Sequence, residues 1–128
     1  MPRRRSIHLP GHVHRNPIPA ASRIGAHVQS GALTGRDPET GAMPPGIDAQ
    51  CANVFRQIRA VMAAAGGSPD DIIKLTVQLV DPDDREALNR EWLAMFPDPD
   101  DRPARQVVAA RLSGGALVHC DLGAVLGD

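Results

Sequence analysis

The sequence predicts an α+β, two-layer sandwich: a mixed sheet with two helices on one face. Three observations predict it. The chain has 128 residues, which suits one domain with one core and is too few for two. Two stretches carry apolar residues at helical spacing, while shorter stretches carry the β-branched or alternating pattern of strands. Their order is strand or strands, helix, strand, helix, strand, strand. A helix that links two strands implies a crossover, expected right-handed.

Residues 1–23 are rich in Pro, Arg and His, and Ser6-Ile7-His8-Leu9 reads as an edge strand stopped by Pro10. Residues 1–15 are otherwise expected to be partly flexible. Pro17-Ile18-Pro19 is extended. Residues 24–31 alternate weakly and read as strand and turn, followed by the dense turn signal Gly35-Arg36-Asp37-Pro38-Glu39-Thr40-Gly41. The clearest helix covers residues 47–65. Ile47, Cys51, Val54, Phe55, Ile58, Val61, Met62 and Ala65 share one face, and Asp48, Gln50, Asn53, Arg56, Gln57 and Arg59 lie opposite. Pro44-Pro45-Gly46 starts it and Gly66-Gly67 ends it.

Residues 72–80 form a β-branched strand closed by Asp81-Pro82. Asp83 or Asp84 caps a second helix to about Phe96, with Leu88, Trp92 and Phe96 on one face. Strands near 105–112 and 117–125 follow, joined by the turn Ser113-Gly114-Gly115 and therefore expected to pair. Val107 and Ala109 are expected on a sheet face without helices. An uncovered apolar face favours oligomers.

Composition excludes several classes. The formal charge is −1, and the aromatics are Trp92, Phe55 and Phe96 alone, so neither a basic groove nor stacking platforms for RNA are present. No apolar run is long enough to span a membrane and no signal-peptide core follows Arg3-Arg4-Arg5, so a cytoplasmic protein is expected. Cys51 and Cys120 lack CxxC spacing and read as free thiols. Lys74 is the one lysine, which limits Schiff-base chemistry to that residue.

No P-loop, GxGxxG, GxSxG or HExxH motif occurs. His12-Val13-His14 has half a metal site's spacing but reads as tail, and Asp98, Asp100 and Asp101 lack the EF-hand pattern. Arg105 stands out. A guanidinium at a strand start, stiffened by Pro103, suits a bidentate carboxylate clamp. It equally suits an ion pair with Asp100 or Asp121. His119 and Asp121, two apart on the last strand, share a face, and His is the side chain suited to proton transfer near neutral pH.

The chain resembles the YjgF/RidA (Rid) family, as a divergent subgroup, from about residue 16 to 125. The resemblance is carried by Ser30-Gly31, the Asp37–Gly41 turn, Gln50 with Asn53, Ala64-Ala65-Gly66, Asp71–Val77, Asn89 with Trp92, and Pro103-Ala104-Arg105. It implies a chorismate-mutase-like fold and a homotrimer whose sheets form a barrel-like centre, with pockets between subunits. It further implies hydrolysis of reactive 2-imino and enamino acids to 2-oxo acids and ammonia, without metal or organic cofactor. By the resemblance Arg105 binds the substrate carboxylate, and Ser30, Gly31, Trp92 and the backbone of Val107 line the pocket. His119 falls where the best-studied subfamily has a glutamate, with Asp121 placed to orient it, and that subfamily's tyrosine has no counterpart, since this chain has no tyrosine. The family also contains 2-aminomuconate deaminases and members described as endoribonucleases or translation inhibitors. A non-enzymatic, small-carboxylate-binding trimer is a further alternative.

Overall fold

The computed structural model describes residues 3–10 and 16–127. One mixed sheet holds seven strands: β1 (Arg4–Ile7), β2 (Ala21–Ile24), β3 (His27–Ser30), β4 (Leu33–Thr34), β5 (Ile72–Leu79), β6 (Ala104–Ala109) and β7 (Val118–Val125). Helix α1 (Ile47–Ala65) joins β4 to β5, and α2 (Arg85–Met95) joins β5 to β6. The spatial order is β1-β2-β3-β7-β5-β6, with β4 also on β7. Only β5 and β6 run parallel, as a helical crossover requires; the other pairs are antiparallel.

The edge strand near the N-terminus is present, shifted to Arg4–Ile7. The expected strand from residue 24 is a hairpin instead. Gly25 takes φ 58, turns the chain between β2 and β3, and needs no side-chain room to do so.

The two final strands do not pair with each other. β7 lies between β3 and β5, and β6 occupies the far edge. The connection from 110 to 117 passes the end of β5, where Ala110 N donates to Leu79 O and Val80 N donates to Leu117 O. Ser113-Gly114-Gly115 is a bend within that crossing, with Gly114 and Gly115 at φ 68 and 79, rather than a hairpin turn.

This topology decides which face each residue occupies. Alternate residues of β7 and β5 are buried under the helices: Val118, Cys120, Leu122 and Ala124, with Leu75, Val77 and Leu79. In register, Arg105, Val107 and Ala109 sit beside Leu75, Val77 and Leu79. Val107 and Ala109 are therefore on the helix-covered face, and Val107 packs against the core. The open face is mostly polar, carrying Gln29, Thr76, Gln78, Gln106, His119 and Asp121, with Val108 and Val125 beside them. The expectation that Val107 and Ala109 lie on an uncovered face is overturned.

Helix α1 has the expected bounds and ends in a left-handed Gly66, φ 91. Its polar side is only partly solvated: Asp48, Arg56 and Arg59 are exposed, whereas Gln50, Asn53 and Gln57 are buried and hydrogen-bond the incoming loops. Asn53 Nδ2 donates to Gly35 O at 2.9 Å and Gln57 Nε2 to Thr34 O at 2.9 Å. Gln50 Nε2 donates to Pro44 O and Gly115 O, while its Oε1 accepts from Leu117 N. Cys51 and Cys120 are free and buried, as expected, and burial pushes the Cys51 thiol up to about 12. Among the described residues, no helix is long and apolar enough to cross a membrane.

Candidate active site

Arg105 is the second residue of β6, the edge strand beneath α2. The loop before it is fastened to the end of α2, because Arg102 Nε donates to Phe96 O at 2.8 Å. Pro103 then stiffens the entry to the strand. The Arg105 guanidinium lies 4.9 Å over the Trp92 ring. Trp92 is itself braced edge-on by Phe96, centroid to centroid 4.9 Å. Cation and ring thus attract one another while the guanidinium edge stays free for a partner.

Among the described residues that edge has no hydrogen-bond partner. Arg105 Nη1 is buried and makes no hydrogen bond. Neither sequence-level ion pair forms. Asp121 is on the other sheet face, and Asp100 makes no ion pair within 4 Å among the described residues. Among the described residues, the one ion pair within 4 Å is Arg90 with Asp48. Burial, and then the nearby Arg85 cation, pull the Arg105 guanidinium below its usual range. A buried donor without an acceptor costs free energy, and a carboxylate supplies the acceptor in the geometry a guanidinium fits best.

His119 and Asp121 share the open face of β7, as alternation requires, opposite Gln78 and Thr76. His119 is half-buried, and burial pushes its imidazole below 6.5, so it is neutral at neutral pH and can accept a proton. Burial raises the Asp121 carboxyl, with Lys74 opposing. No hydrogen bond joins His119 to Asp121 among the described residues, so Asp121 does not orient the imidazole directly.

Within one chain these groups do not meet Arg105. β7 and β6 are two strands apart, about 10 Å at normal strand spacing, and the side chains leave opposite faces. The juxtaposition expected from a β6–β7 hairpin fails because β5 lies between them.

Ser30 and Gly31 form a third locus. Between the β3 and β4 pairings to β7, three residues on one side face two on the other, a bulge. Ser30 fills the gap: its Oγ accepts from Leu122 N at 2.9 Å and donates to Gly31 O at 2.8 Å. Gly31 is exposed, and its N–H donates to Ala20 O. Val107 and Trp92 stay with Arg105 at the β6 edge.

Sequence reasoning missed two things. The buried amides of α1 have a signal in hindsight, since Gln50, Asn53 and Gln57 recur at i, i+3, i+7 on one stripe. Arg85 beside Arg105 had none, because its nearness arises only when α2 packs over β6. Among the described residues no cluster of three metal-ligating side chains occurs, and His12 and His14 lie outside them.

Comparison with known proteins places this geometry. The family model for endoribonuclease L-PSP matches residues 19–126. The 2-iminobutanoate/2-iminopropanoate deaminase of Salmonella typhimurium is 31% identical over 104 residues, covering 80% of this chain and 81% of that protein. A RutC family protein of Pyrococcus abyssi is 31% identical over 107 residues, covering 82% and 83%. Among solved structures, RidA from the Antarctic bacterium Psychrobacter sp. PAMC 21119 superposes with a TM-score of 0.88 at 31% identity, covering 95% of this chain and 99% of that one. With its mixed sheet, two helices on one face and a family match over most of its length, the chain belongs to the endoribonuclease L-PSP family, the YjgF/RidA family.

Proposed function

We propose that this protein is a cofactor-free hydrolytic deaminase of reactive 2-imino or enamino acids, giving 2-oxo acids and ammonia. One observation carries the reading: the Arg105 guanidinium is seated on Trp92 with a buried donor that none of the described residues satisfies. The substrate carboxylate accepts from it. The kinship with an iminobutanoate/iminopropanoate deaminase supports the reaction class.

The chemistry asks little of the protein. An imine carbon is already electrophilic, so orientation and one proton acceptor suffice. Neutral His119 takes a proton from water as the water oxygen bonds to the imine carbon. That proton returns to the nitrogen to give the carbinolamine; the hydroxyl proton then passes through His119 to the same nitrogen, the carbon–nitrogen bond breaks as the C=O forms, and ammonia leaves with a 2-oxo acid behind. R–C(=NH)–COO⁻ and H₂O become R–CO–COO⁻ and NH₃.

Because Arg105 and His119 leave opposite faces of one sheet, the working pocket takes them from different subunits of a homotrimer. Three polar open faces meeting around a barrel-like centre would half-bury Asp121, Thr76 and His119 further. Ser30 and Gly31, with the Val107 backbone, line the same pocket.

The test is ammonia release from 2-iminobutanoate generated in place, with Arg105→Ala and His119→Ala beside the parent. Each variant should lose turnover alone. Mixed, unfolded and refolded together, the two should regain part of it, since some pockets receive both intact residues. Unchanged turnover in Arg105→Ala refutes the clamp. No regain on mixing refutes the shared pocket. Carboxylate binding without turnover in the parent assigns the protein to the small-acid-binding alternative.

A further inference from the structure

The two halves of the carboxylate clamp stand on different elements. Trp92 belongs to α2, and Arg105 belongs to β6. The guanidinium lies 4.9 Å over the ring only while the last turn of α2 and the entry of β6 keep their spacing. The β5–β6 ladder fixes Arg105 from the sheet side, with Leu75 as its partner. That ladder does not reach Trp92.

The loop of residues 97–103 joins the two elements and is a poor brace by itself. Residues 97–102 are exposed. Two of its backbone donors bond within the loop, Asp100 N to Asp98 Oδ1 at 2.9 Å and Asp101 N to Asp98 O at 3.0 Å. A cleft of about 60 Å³ separates Phe96, Arg102 and Pro103 from Pro69, Asp70 and Ile72, so packing behind the loop is incomplete.

Arg102 supplies the missing link. Its Nε donates to Phe96 O at 2.8 Å and its Nη2 to Pro97 O at 3.3 Å. Phe96 is the C-cap of α2, where the final carbonyls lack helical donors and a basic side chain suits them. Among the described residues, Arg102 to Phe96 O is the one side-chain hydrogen bond between this loop and the end of α2. Asp98, Asp100 and Asp101 stand in the same loop, yet Arg102 forms no ion pair within 4 Å with any of them among the described residues. The ring of that same Phe96 rests edge-on against Trp92, centroids 4.9 Å apart. A continuous path therefore runs from Arg102 through Phe96 and Trp92 to the Arg105 guanidinium.

We propose that Arg102 is a positioning residue: by holding the Phe96 carbonyl it seats Trp92 under Arg105 and preorganises the carboxylate clamp. The inference rests on the reading of Arg105 as that clamp and adds the residue that keeps it in shape. Preorganisation matters because a seat rebuilt on binding takes its ordering cost from the affinity.

Trp92 is the one tryptophan of the chain, so its fluorescence reports the seat directly. Calorimetric titration with 2-oxobutanoate, a stable product-like carboxylate, reports the clamp. Arg102→Met keeps an aliphatic stem and removes the donors. It should weaken 2-oxobutanoate binding about fivefold to tenfold and shift the ligand-free Trp92 emission to the red, as water gains access to the ring. Arg102→Lys, which keeps a donor for Phe96 O, should restore part of both. Arg90→Met, which breaks the exposed pair with Asp48 on the same helix, should change neither. Binding at the parent's affinity in Arg102→Met overturns the inference. So does weaker binding with unmoved emission, or an equal loss in Arg90→Met, because Arg102 would then act through general stability. A parent that fails to bind 2-oxobutanoate removes the clamp reading, and the emission of Arg102→Met still decides whether Arg102 seats Trp92.

Discussion

Replacing Gln50 by leucine isolates the buried amide network that holds the loops over α1. Leucine keeps the volume, so the loss is polar. Three hydrogen bonds disappear: Nε2 to Pro44 O at 2.7 Å, Nε2 to Gly115 O at 3.1 Å, and Leu117 N to Oε1 at 2.8 Å. Each contributes about 1 kcal/mol net, and the stranded carbonyls and amide add to the cost where water cannot reach them, so the expected loss is about 3 kcal/mol. For a chain of this size that corresponds to roughly 10 °C in Tm. The assay is urea unfolding at fixed protein concentration, since subunit association also shifts apparent stability. The midpoint should fall with the m-value unchanged. Gln50→Glu should cost more at pH 7 than at pH 4, because an ionised carboxylate would face two carbonyls. A loss below about 1 kcal/mol for Gln50→Leu would refute the reasoning that this amide, rather than apolar packing, fastens the two loops.

Other expectations concern the same framework and the site. In Gly35→Ala the new Cβ would fall 2.5 Å from Gln50 Cβ and 2.8 Å from its Cα, so α1 or the end of β4 must shift. That overlap should cost about 2 kcal/mol, and it should be non-additive with Gln50→Leu when both are measured in one urea series. Trp92→Leu removes the ring under Arg105 and should destabilise by about 2 kcal/mol while weakening 2-oxobutanoate binding in the same titration. For His119 the folded pKa lies below the unfolded 6.5, so the unfolded chain binds more protons between the two values. Its contribution to stability is whole above 6.5 and shrinks as pH falls towards the folded value. The kcat/KM profile should rise with an apparent pKa below 6.5, and a profile flat across that range would remove His119 as the proton acceptor.

The layers of the fold were legible because its punctuation is strong. Helix α1 was bounded correctly from Pro44-Pro45-Gly46 and Gly66-Gly67, and the parallel β5–α2–β6 unit followed from element order. What was not legible is long-range. β6 reads Ala104-Arg105-Gln106-Val107-Val108-Ala109, and adjacent valines leave its inward parity undecided. Only pairing with β5 selects Arg105, Val107 and Ala109 for the helix side. The reading that paired β6 with β7 could not foresee β5 between them, since Gly114 and Gly115 suit a bend in a long crossing as well as a hairpin. Hydropathy likewise put Gln50, Asn53 and Gln57 outside, because the loop carbonyls that satisfy them come from elsewhere in the chain. Arg105 was legible as a residue, from its proline-stiffened strand start, but not its partner: the page of sequence offered two aspartates, and the fold gives it neither.

That missing partner separates a binding residue from a structural one. A structural arginine would be satisfied by its own chain, and removing it would lower stability. Arg105 instead holds a buried Nη1 without a partner among the described residues. Arg105→Met keeps the apolar stem against Trp92, gives up the cation–π attraction, and removes the unmet donor. The unmet donor alone costs about 1–3 kcal/mol when fully buried. Partial exposure of the rest of the side chain reduces that, and the lost ring contact offsets about 1 kcal/mol, leaving a small gain of up to about 1 kcal/mol. Arg105→Met should therefore match or exceed the parent in urea while losing 2-oxobutanoate binding. A variant clearly less stable than the parent would mean that Arg105 holds the fold together, and the clamp would have to be sought elsewhere.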